Sequence, residues 1–418
     1  MLFPTMTTAG STAVLLFMLV RTTLSKPILK VQEDGTFKLA LFCDMHYGEG
    51  SDKDVKSSNF QQTLLSLEKP NFVVIDGDAS SNYASPLACK LPHQQEACKE
   101  WFLQNWEHFT SVLQATNTPY AYTLGNHDRI PGKDLKPVPG NETDYSVPDH
   151  WIMEQDIRNQ KSLTQDGPVS IHGASNYVVP IMDATGKEIV AYVWLMDSSD
   201  NNCMGTTGWG CVYPDQVEWY RNTSKRLIAK DGRVIPGLMF HHIPLDEVNT
   251  AWNDPSVSVW GSKGEQVCCF SQNTGLFDAI KDVGNIWGVF HGHDHNNDFV
   301  ASYHGVYIGF GRKSGYGGYG GSVADQRGSR IFELKQGTDG EMTFETWIRQ
   351  ETGEKVVQEP ALNRASAQKE CCGTGNLEDV IANISATDAM KCRVHDDVDA
   401  CRRAASVDVD DSGSILYA

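Results

Sequence analysis

Apolar positions along the chain fall into short runs separated by longer amphipathic stretches, and this alternation holds from about residue 37 to residue 348. Residues 38–43, 72–75, 120–124, 176–181 and 189–196 are rich in Val, Ile, Phe, Tyr and Leu and predict strands. Residues 59–67 and 98–114 carry the three-to-four-residue apolar spacing of helices. Pro214 opens another helical pattern that runs to Lys230, with proline in the first turn, where its missing N–H is no loss. Strands are predicted again at 235–240 and 286–290, on either side of a helix at 276–283. Four more follow at 299–303, 306–310, 330–334 and 343–348. Strands interleaved with helices in this way predict a layered α/β core. No repeat of 20 to 50 residues interrupts it.

Three stretches break the alternation. Residues 130–149 are rich in Pro, Gly and Asp and read as a loop, and residues 311–321 form a second, glycine-rich one. From about Glu359 the chain becomes a tail with Cys371, Cys372, Cys392 and Cys401 and an acidic end, with one or two helices expected near 377–403. The expected organisation is therefore a body at 37–350 and a cysteine-containing extension at 360–418.

The first 25 residues change the picture of where the chain goes. Residues 13–20 form an apolar core, and the small Thr23 and Ser25 stand at the −3 and −1 positions of a cut before Lys26. A signal peptide at 1–25 is the expectation, although the first ten residues carry no Lys or Arg. A membrane anchor fits less well, because Thr, Gly and Pro fill its first half. The 11 cysteines, none in a Cys-x-x-Cys pair, agree with an oxidising compartment. Cys89 with Cys98 and Cys203 with Cys211 are plausible local bridges, and Cys43, inside an apolar run, is expected to stay unpaired. Sequons at Asn141, Asn222 and Asn383 permit glycosylation of an exported chain. The expected location is secreted or in the lumen of an endomembrane compartment or vacuole, with no stable membrane association once the signal is removed.

The chain has 418 residues, 40% hydrophobic and 21% charged, as folded globular proteins do. Its formal net charge of −18 argues against binding a nucleic-acid scaffold, because phosphate backbones are held by Lys and Arg. Small anionic substrates are not excluded, since a bound metal can override the global field.

Five of the predicted strands end in residues that ligate metals. Residues 39–43 lead to Asp44-Met45-His46, and residues 72–75 to Asp76-Gly77-Asp78. Residues 120–124 lead to Gly125-Asn126-His127-Asp128, residues 238–240 to His241-His242, and residues 287–290 to His291-Gly292-His293-Asp294-His295. Each block alone is an ordinary turn or loop sequence. Together they matter because the carboxyl ends of strands in an α/β sheet converge on one edge, where sites are built. Asp44 and His46 are two apart, as are His293 and His295, so on extended chain each pair points one way. The ligand set of Asp44, His46, Asp78, Asn126, His242, His293 and His295 has four imidazoles, two carboxylates and one amide, and no thiolate. That donor set suits two ions of iron, zinc or manganese and is too rich in nitrogen for calcium or magnesium. A pair of such ions about 3.5–4 Å apart can clamp the attacking and leaving oxygens of an in-line displacement.

In this order the blocks resemble the calcineurin-like metallophosphoesterase superfamily. Within it, residues 40–48, 292–298 and 311–320 are similar to the small purple-acid-phosphatase-related branch. The resemblance implies a four-layer α/β/β/α sandwich of two mixed sheets flanked by helices. It implies one metal on Asp44, His46, Asp78 and His295, and another on Asp78, Asn126, His242 and His293, with Asp78 bridging. His242 is preferred to His241 because the family's isolated ligand sits in a His-x-Pro context, here His242-Ile243-Pro244. His127 is implied as the general acid, oriented by Asp128, with hydroxide on the metals attacking phosphorus. Purple members carry Tyr where this chain has Ser81, so no purple colour is expected. The N-terminal β-sandwich of high-mass plant forms is not expected either.

Less specific candidates are Arg312, Lys313 and Tyr316, which would grip the substrate phosphate or else belong to a solvated surface turn. Tyr319 would line the cleft or pack against that loop, and Asp76, Asp294 and Asp298 would orient ligand imidazoles or cap turns. His291 reads as supporting or surface. The expected function is hydrolysis of small phosphate monoesters, with diesters as a further class. The alternative is a secreted binding protein on a catalytically degenerate phosphatase scaffold, suggested by the cysteine-containing tail. An amide or lactone hydrolase is disfavoured, because the His-x-His-x-Asp-His run of those enzymes is missing.

Overall fold

The computed structural model describes residues 26–81, 84–86, 89, 95–129, 147–338, 340–361, 364, 372, 407–409 and 415–417. The first half comprises β1 (Leu29–Lys30), β2 (Thr36–Phe42), α1 (Ser51–Glu68), β3 (Phe72–Asp76), α2 (Gln95–Ala115), β4 (Tyr120–Thr123), α3 (Asp149–Ile157), β5 (Tyr177–Met182) and β6 (Ile189–Leu195). There follow α4 (Pro214–Asp231), β7 (Gly237–Phe240), α5 (Asp246–Asn253), β8 (Ser258–Trp260), α6 (Leu276–Val283) and β9 (Ile286–His291). After these come β10 (Val300–Tyr303), β11 (Val306–Phe310), β12 (Gly328–Gln336), β13 (Met342–Gln350) and β14 (Lys355–Val356), while Val407–Val409 and Ile415–Tyr417 pair as a separate two-stranded sheet.

Strands β1 to β14 make two mixed sheets. One has six strands in the order β14-β13-β12-β2-β3-β4, and the other eight in the order β1-β5-β6-β7-β9-β11-β10-β8. The strands that precede the candidate ligands are parallel neighbours, β2 with β3 with β4 and β7 with β9. Their carboxyl ends therefore share an edge.

Side-chain alternation decides how the sheets stack. Along β6, Ala191, Val193 and Leu195 join the core shared with β2, β3 and β12. Tyr192 and Trp194 point the other way, into a core formed with Tyr220 of α4 and Ile280 of α6. A period of two with both faces apolar is what a strand buried between two layers requires. Phe240 and Phe290 of the eight-stranded sheet meet Phe332 of the six-stranded sheet, with ring centroids 5.8 and 4.5 Å apart. Helices α1 and α2 cover the outer face of the smaller sheet, and α4, α5 and α6 that of the larger. The result is the α/β/β/α sandwich with mixed sheets.

Several elements differ from the sequence reading. Helix α1 begins at Ser51 rather than 59, since its first turns, Ser51-Asp52-Lys53-Asp54, are polar and lack apolar spacing. Helices α3 and α5 were not predicted. Both are short, and α3 follows the Pro- and Gly-rich segment that masks its start. The glycine-rich segment 311–321 is irregular, as expected, but most of it is buried rather than a free surface turn. A Cβ on Gly315 would overlap the Met45 carbonyl oxygen. Gly315→Ala should therefore lower stability by about 1–3 kcal/mol, as overpacking does. An unchanged midpoint in chemical denaturation would contradict that seating.

Cys89–Cys98 and Cys203–Cys211 are disulfides, and Cys43 is free and buried. Cys372 pairs with Cys269, which ties the tail to the segment before α6. Cys371, Cys392 and Cys401, residues 1–25, the expected tail helices, Asn141 and Asn383 lie outside the described residues. Asn222 is exposed on α4. Among the described residues, no helix is long and apolar enough to cross a membrane.

Candidate metal centre

Just beyond the strand ends the backbone turns sharply. Asp44, His46, Asp78 and His293 all have positive φ, of 55°, 51°, 50° and 70°. For non-glycine residues this region costs of order 1–3 kcal/mol each, and such strain concentrates at functional sites. The turns are held by hydrogen bonds from Asp44 N–H to Gly77 O and from His46 N–H to Asp78 O. Glycine is required at 77, where a Cβ would stand 2.6 Å from the His242 ring, and at 125, where it would overlap Asp78.

The strained turns bring two groups of side chains together. Asp44, His46 and His295 form one, and Asp78, His242 and His293 the other, all six buried, with donor atoms within 4.8 Å of one another in each group. Asp78 Oδ2 lies between them, 3.0 Å from His242 Nε2 and 3.7 Å from His46 Nε2. Asp44 Oδ1 is 3.4 Å from His295 Nε2 and accepts the His293 N–H at 3.1 Å. Asn126 Oδ1 lies 3.0 Å from His293 Nδ1, which adds the amide to the second group. His241 is apart from both groups: its Nδ1 donates to Ile243 O, and its ring packs on His291 and Phe270. His291 is buried beside it, not on the surface, and donates to His241 O.

The far nitrogens of three imidazoles are committed. His242 Nδ1 donates to Asp76 O at 2.8 Å and His295 Nδ1 to Tyr319 O at 2.9 Å, since a carbonyl can only accept. His46 Nδ1 bonds Ser81 Oγ at 2.9 Å, and the Ser81 hydroxyl donates in turn to Glu49 Oε1 at 2.9 Å. The Nε2 lone pairs of His46 and His295 therefore face each other at 3.1 Å. Two acceptors at that distance repel unless a cation sits with them.

Charge tells the same story. Burial pushes the His293 and His295 imidazoles down to about 3 and 4, so both are neutral bases. Burial also opposes a cation at His242, but Asp78, Asp44 and Asp76 outweigh it and raise that imidazole to about 10. Asp44, which burial alone would raise, is held at about 2 by His295, His242 and Lys313. The carboxylates thus draw positive charge to this point.

A family model for calcineurin-like phosphoesterases matches residues 37–297. The chain belongs to that family. Two Arabidopsis thaliana proteins, named probable inactive purple acid phosphatase 14 and 28, are 27% and 26% identical to it. In each case the match covers 77% of this chain and 82% of the relative. A dimetal phosphatase from Danio rerio of known structure superposes with a TM-score of 0.45 at 12% identity, over 74% of this chain and 98% of that one.

Around the two groups, the chain arranges the remaining candidates unequally. His127 is half-buried, its N–H donates to Asp78 Oδ1 at 2.8 Å, and its ring lies 5.1 Å from that of His46. Asp128 accepts the N–H groups of Ser80 and Gly125 at 2.9 and 2.8 Å, so it braces the turns that carry Asp78 and Asn126. Burial and the Asp78 charge raise its carboxyl to about 7. Lys313 is buried and donates to the Asp44 carbonyl at 3.0 Å.

Arg312 is not a solvated surface cation. It is buried, pairs with Asp298 at 2.5 Å and donates to Gln326 O. Tyr316 turns its hydroxyl to Glu351. Asp298 serves Arg312 rather than an imidazole, and Asp294 accepts the Cys268 N–H. Asp76 orients His242 through its backbone carbonyl.

Besides Tyr319, which the sequence offered as a cleft candidate, three residues support the centre without a ligand motif to announce them. Tyr319 stacks on His295 at 3.9 Å, and Trp209 meets His293 edge-on at 4.4 Å. Ser81 and Glu49 back His46, each three residues beyond a ligand, and that spacing is their only sequence signal.

Proposed function

We propose that this chain hydrolyses phosphate esters, small monoesters first and diesters as a further class, with two metal ions held at the two residue groups. The observation that carries this reading is the approach of His46 Nε2 to His295 Nε2 at 3.1 Å with both far nitrogens already bonded. Asp44, His46, Asp78 and His295 would hold one ion, and Asp78, Asn126, His242 and His293 the other. Iron, zinc and manganese all suit these donors. When bound, such a pair polarises phosphoryl oxygens and makes water acidic. With only two anionic ligands the loaded site stays cationic, which favours a phosphate in spite of the chain's net charge of −18.

The chain's own groups supply the rest. His127, half-buried next to Asp78, is placed to give a proton to the leaving oxygen. Asp128 keeps the Asn126–Asp128 turn in register through its two backbone bonds, so its part is to position His127 from below. Lys313 holds the Asp44 carbonyl in place. The disulfides fit a secreted or lumenal chain.

Purified protein loaded with zinc, manganese or iron should hydrolyse an aryl phosphate and lose that activity on chelation. Loaded protein that turns over no mono- or diester would overturn the hydrolase reading. A second reading has one observation in its favour: the Arabidopsis relatives carry names that call them probable inactive phosphatases. It makes this chain a binding protein that keeps its metals and phosphate affinity without turnover. Binding of inorganic phosphate to a loaded, inert protein would favour it.

A further inference from the structure

Glu49 has no place in the ligand set, yet it sits at the centre of the support behind His46. Its side chain is only 5% exposed. It accepts three hydrogen bonds: from the Ser81 hydroxyl at 2.9 Å, from Gly318 N–H at 2.6 Å and from Lys53 Nζ at 2.6 Å. Burial opposes its charge, but the Lys53 ammonium and the other donors hold its carboxyl below the ordinary glutamate range. It is therefore an anion in a nearly closed space.

That anion settles a question the other imidazoles do not pose. His242 and His295 bond peptide carbonyls, which can only accept, so their protons must sit on Nδ1. His46 bonds a hydroxyl, which can donate or accept. If Ser81 donated to His46 Nδ1, the ring proton would move to Nε2 and close the nitrogen that faces His295 and Asp78. A carboxylate cannot donate, so Glu49 claims the single Ser81 proton. Ser81 is left as an acceptor, and His46 must keep its proton on Nδ1 and its lone pair on Nε2.

We infer that Glu49 is a positioning residue which, through Ser81, fixes the tautomer of His46 and so makes it a metal ligand. The inference rests on the two-metal reading and assigns a part to residues outside the ligand set. The bond to Gly318 extends the same control to the glycine-rich segment. That segment lies so close that a Cβ on Gly318 would stand 2.8 Å from the His295 ring and 3.1 Å from the His46 ring.

Zinc titration of the metal-free full chain, followed by elemental analysis after dialysis, tests this without reference to turnover. Ser81→Ala removes the relay but leaves Glu49 its bonds to Gly318 and Lys53, so a purely structural role for Glu49 would survive it. In Ser81→Ala and Glu49→Ala, affinity for one of the two ions should fall by about 10- to 100-fold, the range seen when a ligand's supporting partner is removed. The other ion should bind as before, and Ser81→Thr, which keeps the hydroxyl, should restore both. Should Glu49→Ala fail to fold, Ser81→Ala and its threonine rescue decide alone. Two ions bound with unaltered affinity in Ser81→Ala would overturn the relay. If the unsubstituted protein binds no zinc, the two-metal reading itself falls, a separate result from losing one ion in the variants.

Discussion

Asp78→Asn is expected to strip the protein of its metals while leaving the fold intact. Its carboxylate stands between the two residue groups, with one oxygen 3.0 Å from His242 Nε2 and 3.7 Å from His46 Nε2. Its other oxygen accepts the His127 N–H at 2.8 Å, and an amide oxygen can keep that bond. Asparagine therefore preserves shape and removes charge. Without the Asp78 charge, the attraction that holds positive charge at His242 is largely withdrawn, because Asp78 is the strongest of the carboxylates that raise it. Elemental analysis should show the content falling from two ions per chain to fewer than one. Turnover of an aryl phosphate should fall about 10³-fold or more, since several kcal/mol of charge stabilisation is lost and each 1.36 kcal/mol is tenfold. Two ions retained at full affinity would remove Asp78 from the bridging position.

His127→Ala should separate proton transfer from metal binding. His127 touches the centre through its backbone N–H, which alanine keeps, and its ring lies beside His46 without joining either group. Metal content should stay at two ions per chain. The rate on a phosphate with a poor leaving group should fall about 10²- to 10⁴-fold, the usual worth of a positioned acid. An ester whose leaving oxygen needs no proton, such as a nitrophenyl phosphate, should suffer least. Loss of the metals instead would make His127 a ligand or a structural residue. Equal losses on both esters would leave the acid role without support.

The difference between what was and was not legible follows from where information sits in the chain. Strands β2, β3, β4, β7 and β9 were legible because each is a short apolar run that stops at a ligand, and stopping there is itself a pattern. The two groups of side chains follow from that pattern, since parallel neighbours put their carboxyl ends on one edge. Helices α3 and α5 were not legible, because each is short and its burial depends on neighbours distant in sequence. Arg312 looked like a free cation because its partner, Asp298, is 14 residues away and reads as a loop residue. The glycine-rich segment looked like a surface turn because Gly315 and Gly317 are there for close contact with residues 45 and 46, which sequence spacing does not reveal. The Glu49–Ser81 relay joins residues 32 apart with no motif between them. Direct ligands leave a trace in local sequence, whereas the groups that orient them are fixed by packing.

The two-ion centre is tested most directly by diffraction at the metal absorption edge, on crystals of the full chain grown with zinc or manganese. The expected result is two anomalous peaks about 3.5–4 Å apart. One should lie among Asp44, His46 and His295, the other among Asn126, His242 and His293, and Asp78 should touch both. A single peak, no peak, or ions bound away from Asp78 would contradict it.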